Sequence, residues 1–519
     1  MSGITETANF KRLPWIYLAM SVSIFSLVLG RNEGAEFPPS MDLGYEVRRG
    51  SVNETGDHYV SNNIPFAQQP VGELRFSKPV PIVGGQGAPA HGHGNDDVDM
   101  CPQAYLQWVT DFIAKRSGID KKTMASLLND QGGQTEACLV LDVYVPVDIF
   151  DEGPAANASV LVWIHGGSFT YGSNNLYVSV NYRLGMYGWL SGGDITPDLG
   201  LYDQRRALGW IQKYVVLFGG GPDRVTVMGE SAGAASIVHQ LITFGASEAS
   251  PFLKAIIQSP AFQWNIGLDG NYLRTLIEVS KLAGYKVDSA INQATVTLAT
   301  MGTFGFGPGP DGSLVTDIPQ KLIYTAKFDS AVQLLLSHMS HESVSFLPNI
   351  TTTADVRLYV NHNVPAASDR TVDFMLTSRR LYPNVMNGMY PWRKQFERAE
   401  RLVSNISFAC TTRYLSTALQ NDTFNLVFAH PPSWQADDTS YVFFNGDTST
   451  LHNGYKVDRG LATQLQDYIV SFAQTGNSKS VSNKPHFPRY GPSSTVLGWG
   501  YQGFTKGTDD LKGERCRWL

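Results

Sequence analysis

A surplus of basic residues is missing from this chain. Lys and Arg number 40 against 46 Asp and Glu, giving a formal net charge of −6. No basic stripe is visible, which argues against a nucleic-acid partner. Long Pro/Ser tracts, charge blocks and internal repeats are also missing, so nothing divides the chain into linked modules. Cysteine is scarce, at four residues. His91-Gly92-His93 has no third ligand at a usual metal spacing, so no metal and no cofactor is expected. Apolar runs of membrane-spanning length are absent after residue 30.

What is present is a large globular composition: 519 residues, 43% hydrophobic, with 50 glycines. That is ample for a sizeable core. Leu13 to Gly30 form one apolar segment behind Lys11-Arg12. Residues 1–30 read as a secretory signal, with a small residue near Val28-Leu29-Gly30 for cleavage. A retained membrane anchor and a buried helix are the alternatives. The expectation is a secreted protein, touching a membrane only if the anchor persists. Residues 31–519 then form one domain. Four cysteines fit export, and three pairings of them are open. Five glycosylation sequons begin at Asn53, Asn157, Asn349, Asn405 and Asn421.

Short β-branched runs bounded by turn residues predict strands at 139–144, 159–164, 177–182, 224–228, 254–258, 331–336 and 424–428. Helical spacing covers 201–216 and 461–472, and 271–302 and 366–420 look mainly helical. Strands alternating with helices predict an α/β fold, a mostly parallel sheet covered on both faces.

Gly229-Glu230-Ser231-Ala232-Gly233 lies between the apolar run Val225–Met228 and the small-residue segment Ala234–Val238. That places a serine on a sharp strand-to-helix turn, where crowding admits only glycines. The hydroxyl stands clear of the sheet, at a helix N-terminus that favours developing negative charge. A second motif, His165-Gly166-Gly167-Ser168-Phe169, follows another strand. Such a turn offers backbone N–H groups to an oxyanion.

With these motifs the chain resembles the type-B carboxylesterase/lipase family, the cholinesterase-like α/β-hydrolases, and especially its secreted fungal members. The likeness runs from about residue 40 to the C-terminus. It rests also on Asn63-Ile64-Pro65-Phe66-Ala67, Gly72-Glu73-Leu74-Arg75-Phe76, Glu136-Ala137-Cys138-Leu139, Asn181-Tyr182-Arg183-Leu184-Gly185, Phe218-Gly219-Gly220, Gln258-Ser259-Pro260 and Asp311-Gly312. The resemblance implies an α/β-hydrolase fold and a Ser-Glu-His triad acting on small-molecule or lipid esters. It places the nucleophile at Ser231, the acid at Glu342, and oxyanion donors at Gly167, Ser168 and Ala232. Ser168 stands where the family has glycine, but the donor is backbone N–H. The resemblance also implies the pairings Cys101–Cys138 and Cys410–Cys516.

Two departures follow from the same comparison. The family's histidine comes shortly after Pro-Pro and six residues before Tyr-x-Phe. Pro431-Pro432 and Tyr441-Val442-Phe443 fix that frame here, and the position holds Gln435. Glutamine cannot take the serine's proton at neutral pH. Losing the base from a serine triad costs on the order of a million-fold in turnover. His430, at the end of the 424–428 strand, is the candidate replacement; a satisfied strand-end histidine is the alternative. His239, His341 and His452 are weaker candidates. Secondly, only Thr170–Leu176 remain to join the oxyanion turn to the next strand. Parallel strands need a crossover of about a dozen residues, usually with a helix. Either the crossover helix is absent or the deduced sequence has lost a coding segment, and the intact look of the strands favours the second. Full-length messenger RNA reproducing Asn174-Asn175-Leu176 uninterrupted would refute that.

Three functions remain in view. The first is a serine carboxylic ester hydrolase, impaired if nothing replaces Gln435. The second is a non-catalytic binding module on the same scaffold. The third is a hydrolase-fold enzyme of small-molecule metabolism.

Overall fold

The computed structural model describes residues 39–519 apart from 54–56, 85–98, 130–131, 173–177, 192–194, 263–301, 303–304, 365, 448–450, 453–454, 479–484 and 501. The leader, His91-Gly92-His93 and nearly all of the helical stretch expected at 271–302 therefore lie outside the described residues.

Eleven strands make the central sheet. In chain order they are β1 (Ser51–Val52), β2 (His58–Pro65), β3 (Val140–Pro146), β4 (Ala158–Ile164), β5 (Val178–Val180), β6 (Gly220–Glu230), β7 (Lys254–Gln258), β8 (Gln333–Met339), β9 (Phe424–Phe428), β10 (Thr495–Gly500) and β11 (Gly503–Thr508). Across the sheet they run β11-β10-β9-β8-β7-β6-β4-β5-β3-β2-β1. The block from β5 to β10 is parallel, and both flanks are antiparallel.

Alternation along the central strands divides the core in two. Val162, Ile164, Val225, Val227, Ala255, Ile257, Leu334 and Leu336 face helices α1 (Leu199–Tyr214) and α2 (Ala232–Ile242). Trp163, Met228, Ile256, Leu335 and Met339 face the other way, toward α4 (Arg459–Thr475) and the aromatic residues of β9 and β10. Both faces are buried, which is why these strands read as continuous apolar runs. A further helix, α3 (Gln395–Ser404), continues through a π-turn at Asn405–Ala409 into Cys410–Ala418.

The expected strands are all present; 254–258 and 424–428 keep their expected ends and the other five are shifted. The strand feeding the serine is longer than expected, and β5 is shorter than the expected 177–182. Asn181 and Tyr182 leave the ladder to brace their surroundings. Asn181 donates to the Asp99 carbonyl (2.7 Å) and the Tyr182 hydroxyl to the His165 carbonyl (2.8 Å). β4 and β5 are parallel neighbours, Val162 beside Val178, although only residues 165–177 connect them. The described part of that connection, 165–172, is a turn without a helix. Both disulfides form as the resemblance implied, Cys101–Cys138 and Cys410–Cys516.

Candidate active site

Four segments leave the C-terminal ends of neighbouring parallel strands and meet there: the serine turn after β6, the oxyanion turn after β4, the acid loop after β8 and the 430–438 loop after β9. This edge is where open α/β sheets gather their ligand-binding loops.

Ser231 caps α2 with φ 56° and ψ −121°, a conformation that L-residues rarely adopt. Its neighbours enforce it. A Cβ on Gly229 would come within 2.7 Å of the Gly233 carbonyl carbon, and one on Gly233 would run into the Ile164 carbonyl. The Ser231 N–H donates to the Gln258 carbonyl (3.0 Å), and its carbonyl accepts from Ala235 (2.9 Å) and Ala261 (3.1 Å). The backbone is pinned on both sides, and the residue is only 7% exposed. Ala232 opens α2, where N–H groups have no intrahelical acceptor.

The oxyanion turn lies directly against this serine. A Cβ on Gly166 would sit 3.2 Å from Ser231 Cβ and 3.1 Å from Glu230 Oε2. Gly167 has φ 96°, and Ser168 and Phe169 follow in the left-handed region. The Gly167 carbonyl closes the turn by accepting from Thr170 and Tyr171, both at 3.0 Å. His165 serves as a buttress: its ring stacks on Tyr182 at 4.4 Å, and Nδ1 donates to the Gly166 carbonyl (2.9 Å). Burial lowers its pKa to about 4, so it is neutral at physiological pH.

Glu342 is wholly buried on the loop after β8. Its Oε1 accepts from the Met339 N–H (2.7 Å), and burial holds its carboxyl well above the usual range. The loop is tied to α3: Ser343 Oγ donates to the Glu400 carbonyl (2.8 Å), and the Ser343 N–H donates to Ser404 Oγ (3.1 Å).

Gln435 is buried on the 430–438 loop. Its Nε2 donates to Glu230 Oε1 at 2.6 Å, beside the nucleophile. Asp438 follows it, buried and accepting from Gln258 Nε2 (2.6 Å). Burial raises the Asp438 carboxyl to about 7. It holds Glu230 well above the carboxylate range too, helped by the charges of Asp438 and Glu342. Three buried carboxyl groups therefore crowd behind the serine. Glu230 lay within the quoted motif and Asp438 within the quoted loop, but sequence reading gave neither a role. Their adjacency to Ser231 and Gln435 was the available signal.

His430 has the setting of the alternative reading, a strand-end histidine facing a backbone carbonyl. Its ring lies among Tyr441 (5.7 Å), Trp499 (6.2 Å) and Phe428 (6.4 Å), members of the core on the face opposite α2. Nδ1 lies 3.2 Å from the Pro431 carbonyl and 3.4 Å from the Tyr441 hydroxyl. The assignment of His430 as base is corrected on these grounds: the strand end directs the ring into that aromatic cluster. His239 packs inside α2 with Nδ1 on the Ala235 carbonyl (2.8 Å). His341 is half exposed, 3.8 Å from Glu400. The His452 side chain lies outside the description.

Of the sequons, Asn157 and Asn349 are exposed, and Asn53 and Asn421 are half-buried. Asn405 is a correction. It is 2% exposed within the π-turn, and its Nδ2 donates to the Tyr382 hydroxyl (2.8 Å), leaving no room for a glycan. Among the described residues, no three His, Cys, Asp or Glu side chains are grouped to hold a metal, and no helix is long and apolar enough to cross a membrane.

Comparison with known proteins agrees with this geometry. The chain is 35% identical to carboxylesterase patB of Penicillium expansum, across 90% of this chain and 92% of that protein. It is 27% identical to lipase 1 of Geotrichum candidum, with 89% and 91% covered. The patB alignment runs over 530 positions, more than this 519-residue chain supplies, so that relative carries residues this chain lacks. The crystal structure of Aspergillus niger EstA superposes with a TM-score of 0.75 over 93% of this chain and 98% of that one, at 18% identity, which fixes the α/β-hydrolase fold. The carboxylesterase family model matches residues 47–517. The chain belongs to the carboxylesterase family.

Proposed function

We propose that the protein is a serine carboxylic ester hydrolase that works through an acyl-enzyme on Ser231. The observation that carries this is the strained Ser231 turn lying against the Gly166-Gly167-Ser168 turn. Ser231 Oγ attacks the ester carbonyl. The N–H groups of Gly167, Ser168 and Ala232 receive the oxygen's developing charge, a contribution of about 3 kcal/mol per donor in sites of this kind. The alcohol leaves, and water cleaves the acyl-serine. Glu342, buried on the next loop but one, stands where the resemblance puts the family's acid. The substrate is a carboxylic ester. Two disulfides and the likeness to secreted lipase 1 of Botryotinia fuckeliana, 26% identical over 84% of each chain, support an extracellular protein.

Purified protein treated with a fluorophosphonate probe is expected to label, and Ser231→Ala to lose the label. Absence of Ser231-dependent labelling, under conditions where an active esterase reacts, refutes the hydrolase reading. A second reading, a binding module without turnover, is favoured by one observation: Gln435 fills the base position and is bonded to Glu230. That reading predicts no labelling from a folded protein.

A further inference from the structure

Gln435 carries no imidazole, and the residue before Ser231 brings a carboxyl group to the serine turn. Glu230 Oε2 and Ser231 Cβ flank one point, the Cβ position of Gly166, at 3.1 and 3.2 Å. This geometry lets the two side chains meet directly or through one water. The other oxygen, Oε1, is fixed by Gln435 Nε2 at 2.6 Å, so the carboxyl plane is anchored and Oε2 is left toward the oxyanion turn. Each of the other buried carboxyl groups also has one oxygen bonded, Glu342 Oε1 by Met339 N–H and Asp438 Oδ2 by Gln258, and neither is among the nearest atoms to the Gly166 Cβ position.

We propose that Glu230, not a histidine, is the general base for Ser231 in this chain, with Gln435 as the residue that positions it. The inference rests on the hydrolase reading above. As Ser231 Oγ bonds to the ester carbon, its proton passes to Glu230 Oε2, directly or over one water. The neutral acid then returns that proton to the departing alkoxide, which leaves as the alcohol. In the second half, Glu230 takes a proton from water as the hydroxide oxygen bonds to the acyl carbon. It gives that proton to Ser231 Oγ as the carboxylic acid leaves. Protons balance over the cycle, and no other reactant is required.

The site sets the pH at which this works. The titratable groups facing Glu230 are Glu342 from the loop after β8, Asp438 from the loop after β9, and Tyr171 from the oxyanion turn. Burial and the two acidic neighbours favour the neutral acid. Only the ionised form accepts a proton, so activity rises with pH until Glu230 ionises, above the usual carboxylate range.

The test is the rate of fluorophosphonate labelling from pH 5 to 9 for the wild type, Glu230→Gln, Gln435→His and the double variant. Ser231→Ala reports separately on the hydrolase reading. The proposal expects Glu230→Gln to slow labelling on the order of a hundredfold or more and to erase the rising limb. The double variant, with an imidazole restored, recovers labelling with a midpoint near 6.5, as an unperturbed histidine gives. Glu230→Gln that labels within threefold of wild type, with the same pH profile, overturns the proposal. So does loss of labelling in both Glu230→Gln backgrounds, which assigns Glu230 to structure alone.

Discussion

The two sides of Ser231 are held by different means. On the oxyanion side the backbone does the work. Gly229 and Gly233 face carbonyl groups at distances that exclude any side chain, and Gly167 would collide with the Tyr171 carbonyl. On the 430–438 side the contacts next to the nucleophile are made by side chains, Gln435 to Glu230 and Gln258 to Asp438, while the loop's backbone is tied to the acid loop through the His341 N–H on the Ser433 carbonyl. A change on the first side breaks the fold locally. A change at Gln435 on the second side meets no backbone clash of that kind and acts on the Glu230 contact. The departure at Gln435 is of the second kind, which explains how an expected histidine can be absent from an otherwise undisturbed site.

That contrast is sharpest at Gly233. Gly233→Ala would drive a methyl group into the Ile164 carbonyl, on the strand that carries the oxyanion turn. Relief requires separating β4 from the start of α2. The expected cost is about 3 kcal/mol or more, with loss of probe labelling. Chemical denaturation would check it. A stability within 1 kcal/mol of wild type would mean that the turn is held less tightly than its contacts imply.

Gln435→His should act in the opposite sense, on rate and not on fold. It places an imidazole beside Ser231 and Glu230, and general-base catalysis of this kind contributes about 10²–10⁴-fold. Hydrolysis of a simple aryl ester should rise within that range, while the thermal midpoint moves little. A rate that stays at the wild-type level would show that the imidazole fails to reach the serine from this loop.

The same contrast governs what could be read from the sequence. The elbow, the oxyanion turn and the parallel strands were legible because each depends on glycine placement and apolar periodicity, which are local. Glu342 was legible from its place after a strand, although its neighbours have drifted. The carboxyl cluster was not, because Glu230, Glu342 and Asp438 are brought together only by the sheet order β9-β8-β7-β6. Nor were the ring partners of His430, although its strand-end setting was one of the two readings, because Trp499 is distant in sequence and meets it only across adjacent strands. The connection from β4 to β5 was correctly read as short. The longer alignment with the patB carboxylesterase is in keeping with a missing segment somewhere in this chain, and sequencing the transcript decides whether it lies there.

The buried carboxyl groups give a smaller, pH-dependent effect. Burial pushes the Asp438 carboxyl up from its ordinary 3.8 to about 7 in the folded protein. In the window between those values the unfolded chain binds fewer protons than the folded one. Stability from this group is full below the lower value and is lost as pH rises through about 7, an effect on the order of a few kcal/mol. Asp438→Asn removes the titration and keeps the shape. The expected result is a stability curve that falls less steeply between pH 5 and 7.5. An unchanged slope would place the titration elsewhere, with Glu230 and Glu342 the next groups to test.

The smallest effect is expected at His430. Its ring fills space among Tyr441, Trp499 and Phe428, and Nδ1 faces the Pro431 carbonyl. Truncation to alanine removes ring contacts worth about 1 kcal/mol and leaves Ser231, Glu230 and Gln435 in place. Labelling by the fluorophosphonate should therefore stay within about threefold of wild type, far below the hundredfold that loss of a general base produces. A larger fall, in a variant whose thermal midpoint has barely moved, would return the base role to His430 and would require the 430–438 loop to rearrange when substrate binds.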